Sequence, residues 1–99
     1  NNMASKRNLK KEVVNLAVAL FDDAHLLRTL STDENAKQLD SLMDEIIVFT
    51  DDTIRRVHRP DGKDNPKLVK DYYRALRAYI ATKESEFNDR LTTLIEGIQ

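Results

Sequence analysis

The sequence predicts an all-α fold, an up-down-up bundle of three long antiparallel helices, on three observations. Apolar residues recur at three- and four-residue spacing through three long segments. Two short stretches rich in capping and turn residues separate those segments. Gly and Pro number only two each, which disfavours hairpin-rich β architectures. A chain of 99 residues is expected to form one domain over 1–99, large enough to bury a core without disulfide or metal.

The first helix is expected over about residues 5–30. Leu9, Val13, Leu16, Leu20 and Leu27 form one seam, and Val14, Val18 and Phe21, continued by His25, form a second stripe beside it. At about 100° per residue the two stripes, with Ala17 and Ala24, span roughly 200° of the helix. That is more than a peripheral bundle helix needs. Either the helix sits deep between its neighbours, or Val14, Val18, Phe21 and His25 face a second subunit.

The first joint reads as a capping box, with Ser31 as N-cap and Glu34 reaching back to it. The second helix then runs over about 32–58, with Leu39, Leu42, Met43, Ile46, Phe49, Thr50, Ile54 and Val57 on one stripe and a solvated face bearing Asp40, Asp44 and Asp51. Arg59-Pro60-Asp61-Gly62 reads as a turn. Asn65-Pro66 reads as an N-cap followed by Pro at the first helical position. The third helix follows over about 66–97 on Val69, Tyr73, Leu76, Ile80, Phe87, Leu91, Leu94 and Ile98. Its length, about 48 Å at the helical rise, predicts that it projects past its neighbours or packs on another subunit. Lys83 interrupts its seam and reads as a stem packed beside Phe87.

Charge is polarised along this fold. Twelve of the 16 Lys and Arg lie in Lys6–Lys11 and Arg55–Arg77, which three antiparallel helices bring to one pole, against six acids at that pole, Glu12, Asp51, Asp52, Asp61, Asp64 and Asp71. Clustered cations attract phosphate through counterion release, so Lys10, Arg55, Arg56, Arg59, Lys63, Lys67, Lys70 and Arg74 are candidate polyanion contacts. Tyr72 and Tyr73 lie near enough to stack exposed bases. The plain alternative is ordinary helix electrostatics, with pairs such as Lys67–Asp71 and Glu86–Arg90. The net charge of −1 gives no overall attraction to nucleic acid or anionic lipid.

Other chemistries find little footing. There is no Cys, which removes disulfides, thiol catalysis and thiolate metal sites and suits a reducing cytoplasm. Asp22 and His25 have a carboxylate–imidazole spacing that can ligate metal, but di-iron bundles need a second such motif and two more carboxylates. No phosphate loop, nucleophile elbow or zinc-protease motif occurs, so neither catalytic residues nor a cofactor is expected. No apolar run approaches the roughly 18 residues of a membrane span, and the first residues lack a signal-peptide core. Met3 reads as a natural start preceded by Asn1 and Asn2.

The stretch Met3-Ala4-Ser5-Lys6-Arg7-Asn8-Leu9-Lys10-Lys11 resembles the start of small all-helical proteins of Bacteroidetes bacteria to which no activity is assigned. The resemblance covers about nine residues. It implies a bacterial cytoplasmic protein and carries over no site residues. The function expected first is a non-enzymatic interaction or structural module, a homodimer or the partner of another helical protein. The alternative is nucleic-acid or polyanion binding at the basic pole.

Overall fold

The structure, a computed structural model, describes residues 2–60 and 64–98, with side chains from Ser5 onward. Its elements are α1 (Asn2–Thr29), α2 (Asp33–His58) and α3 (Pro66–Ile98), and no strand occurs among the described residues. The three form an up-down-up bundle with Cα extents of 51 × 17 × 15 Å.

The joints follow from hydrogen bonding, and one differs from expectation. Ser31 is not the N-cap of α2: its hydroxyl donates to the Leu27 carbonyl at 2.7 Å and closes α1 instead. Thr29 does the same for Leu26 at 2.6 Å. The last carbonyls of a helix lack their usual amide partners; the Leu27 carbonyl takes the Leu30 amide at 3.0 Å as well as the Ser31 hydroxyl. Thr32 becomes the N-cap in extended conformation, with no side-chain cap bond, and Asp33 follows at φ 55°. That left-handed conformation is one Asp tolerates better than most residues. At α3 the expected cap forms: Asn65 Oδ1 accepts from the amides of Lys67 and Leu68 at 3.0 and 3.3 Å. Asp61, Gly62 and Lys63, and with them most of the expected turn, lie outside the described residues.

The core alternates along α1 differently from the expected seam. Leu9, Val13, Ala17, Leu20 and Ala24 are buried, while Leu16 and Leu27 pack half-buried at its edge. Two alanines on the inner line let α2 lie close, and α1–α2 is the most extensive of the three interfaces. From α2 come Leu39, Leu42, Ile46, Phe49, Thr53 and Val57. From α3 come Leu76, Phe87, Leu91 and Leu94. Phe49 meets Phe87 edge-on at 5.5 Å. Each fully buried aliphatic or aromatic side chain contributes about 1.5–3 kcal/mol. A smaller cluster of Leu9, Val57 and Leu76 sits toward the basic pole.

Among the described residues, each pair of helices is also tied by one ion pair. Arg28 meets Asp40 at 2.8 Å (α1–α2), Arg77 meets Glu12 at 3.3 Å (α1–α3) and Arg90 meets Glu45 at 2.7 Å (α2–α3). Arg90 therefore does not pair with Glu86, which takes Lys83 at 3.2 Å. Nor does Asp71 pair with Lys67; it faces Arg74 at 3.7 Å. Lys83 lies 4.9 Å over the Phe87 ring, as its place in the seam predicts.

The surplus length of α3 stays beside the chain's own helices. Tyr72 and Tyr73 donate to the Arg56 and Val57 carbonyls at 2.8 and 2.6 Å, closing the last turn of α2 from outside. Pro66 to Lys70 thus extend beyond α2 and run along the start of α1, where they share a groove with Ser5, Lys6 and Leu9. Burial of Tyr73, and then the nearby Tyr72, raises its phenol above the ordinary range.

Candidate interaction surface

Two regions carry candidate residues, and the bundle treats them differently. The first is the outer face of α1 and α2. Leu9, Val13 and Leu20 take the inner line of α1, so residues about 100° away must face outward. Val14 is 37% exposed and Val18 53% exposed, and His25 is also exposed. Phe21 lies half-buried and packs against the core.

The matching contribution from α2 has no counterpart among the candidate residues. Ile47 is 55% exposed, flanked by half-buried Met43, Thr50 and Ile54. Together with Val18 and Phe21, Ile47, Thr50 and Ile54 line a shallow groove of about 410 Å³, with Asp22 and Asp51 at its rim. A signal for Ile47 existed: Ile46-Ile47-Val48-Phe49 is a run of four apolar residues, and one helix face holds only some of them. Ile46 and Phe49 go inward, while Ile47 and Val48 go outward.

The second region is the basic pole, which divides. On α2, Arg55 pairs with Asp51 at 2.9 Å and Arg56 with Asp52 at 3.1 Å. The Arg56 guanidinium also lies 5.0 Å from the Tyr79 ring centroid. On the opposite side, Lys70 and Arg74 join Lys6 and Arg77 around the groove between the first turns of α1 and α3. Its volume is about 610 Å³ and its floor is Leu9, Val69 and Tyr73. Lys10, Arg59 and Lys67 are exposed outside that groove, and Lys63 lies outside the described residues. The tyrosines expected as stacking platforms are bound to α2 carbonyls.

No three His, Asp or Glu side chains gather at metal-binding distance among the described residues. No described helix is long and apolar enough to cross a membrane. No protein-family model, curated protein or solved structure matches this chain.

Proposed function

We propose that the chain is a non-enzymatic helical interaction module of a bacterial cytoplasm, self-associating through the outer face of α1 and α2. The observation that carries this is the apolar strip of Val18, Phe21, Ile47 and Ile54, with exposed Val14 one turn before Val18 on α1. Bundle helices leave isolated apolar residues in water routinely, but a strip spanning two helices and rimmed by acids is the pattern of a contact surface. The lack of cysteine supports a reducing compartment, and the N-terminal resemblance supports a bacterial one.

Val18 is the residue to change, because it is exposed while Phe21 also supports the core. Val18→Glu is expected to convert an oligomer into a monomer at tens of micromolar in sedimentation velocity, with the helical circular dichroism spectrum unchanged. A wild-type chain that stays monomeric to about 100 µM overturns this function.

A second reading, polyanion binding, rests on the groove between α1 and α3, where Lys6 and Lys70 have no ion pair among the described residues. It predicts that Lys70→Ala and Arg74→Ala each weaken binding of fluorescent single-stranded DNA about equally for any sequence, because phosphate contacts carry no base information. Wild-type affinity should fall steeply between about 50 and 200 mM salt. No binding at the lower salt removes it.

A further inference from the structure

The outer rib of α1 is complementary to itself when reversed. Lys11, Val14, Val18 and Asp22 follow one another at spacings of three, four and four, and so share one face. Lys11 and Asp22 stand three helical turns apart, about 16 Å along the axis. Both are exposed, and neither has an ion pair among the described residues. Beside the rib, Ile47 and Ile54 of α2 line the groove that Val18 and Asp22 border. Positive charge without a partner among the described residues thus stands at the Lys11 end of the rib, where Arg7 lies one turn further back, and negative charge at the Asp22 end.

The geometry points to an antiparallel two-fold dimer in which this rib packs on the same rib of a second copy. The inference rests on the interaction-module reading and adds the partner's identity and orientation. With the axis crossing α1 between Asn15 and Val18, Lys11 faces the partner's Asp22, and Asp22 faces the partner's Lys11. Val14 meets the partner's Val18 at the centre, where the groove beside Ile47 and Thr50 receives the remaining apolar surface. A parallel pairing sets Lys11 against Lys11 and Asp22 against Asp22, two like-charge contacts in place of two attractive ones. An isologous interface of this kind closes on itself and gives a dimer rather than a filament.

Charge reversal tests it directly. Lys11→Glu and Asp22→Lys alter exposed side chains outside every ion pair of the described bundle, so each variant is expected to keep its helical spectrum. Alone, each homodimer then carries two like-charge contacts, and its dissociation constant at about 50 mM salt is expected to rise roughly tenfold. Mixed together, the two variants form a heterodimer in which both contacts are attractive again, with affinity close to wild type. That preference should fade in about 1 M salt, where the screening length is about 3 Å. Fluorescence-detected sedimentation of one labelled variant titrated with the other reads all of these outcomes. If the mixture associates no more tightly than the separate variants while Val18→Glu still dissociates wild type, the antiparallel arrangement is wrong and the interaction module stands. A wild-type chain that is monomeric throughout removes both.

Discussion

Thr53 is the one polar side chain buried in the core, and its hydroxyl has no hydrogen-bond partner among the described residues. Thr50, one turn earlier, donates to the Ile46 carbonyl at 2.7 Å, so the difference is in rotamer and not in residue type. An unsatisfied buried hydroxyl costs about 1–3 kcal/mol. Thr53→Val keeps the β-branched shape and removes that cost. It is expected to raise stability by about 1 kcal/mol in chemical denaturation, and a loss of stability would mean that the hydroxyl has a partner. Thr53 stands between Phe49 of the larger cluster and Val57 of the smaller one. The apolar stripe expected on α2 takes in Thr50 and passes over Thr53, although Thr53 is the one the bundle buries.

At the scale of the element, α1 shows how a helix chooses among competing stripes. Its leucines propose a seam through Leu16 and Leu27, yet the fully enclosed line runs through Ala17 and Ala24. Small side chains gain less from burial than leucine does, but they let a neighbouring backbone approach, and α2 uses that approach. Two substitutions separate these effects. Ile46→Ala removes volume from the centre of the core and is expected to cost about 2–5 kcal/mol. Ala24→Leu adds volume where none is free and is expected to cost about 1–3 kcal/mol. Guanidinium unfolding of both variants measures them. A neutral Ala24→Leu would place α1 farther from α2 than the structure has it.

The whole molecule is a rod whose register is marked by three ion pairs, one for each helix pair. All three are substantially exposed, so each contributes less than about 1 kcal/mol. The Arg90 hydrogen bond, with smaller help from the Arg90 and Lys83 charges and against the cost of burial, holds the Glu45 carboxyl below its ordinary range. A lowered folded value means that this contribution is complete above about pH 4.5, the unfolded range, and is lost as pH falls through the folded value. Melting temperatures of wild type and Glu45→Gln should therefore differ at pH 7 and converge as pH falls through the folded value. Parallel curves would show that the pair contributes nothing.

The same scale separates what was legible in the sequence from what was not. Element type, order and three sets of helix ends within about three residues follow from local spacing and from the Asn65-Pro66 cap. The 200° apolar face of α1 left open whether Val14 and Val18 would be enclosed, and the packed bundle leaves both exposed. Ile47 was harder to see, because its exposure depends on which two of four adjacent apolar residues the neighbours cover. The basic pole was legible as a cluster along the chain, but not as two surfaces, one on α2 and the other between α1 and α3.

By itself the sequence determined three helices and their apolar faces, because periodicity and capping are properties of neighbours within one or two turns. Only the tertiary structure decided that Arg90 reaches Glu45. It alone turned Tyr72 and Tyr73 into caps for α2 and joined Val18 to Ile47 in one strip. Each of these is a choice among partners of similar local merit. Such choices are settled by which groups the packed helices bring within about 3 Å, a distance that no spacing along the chain encodes.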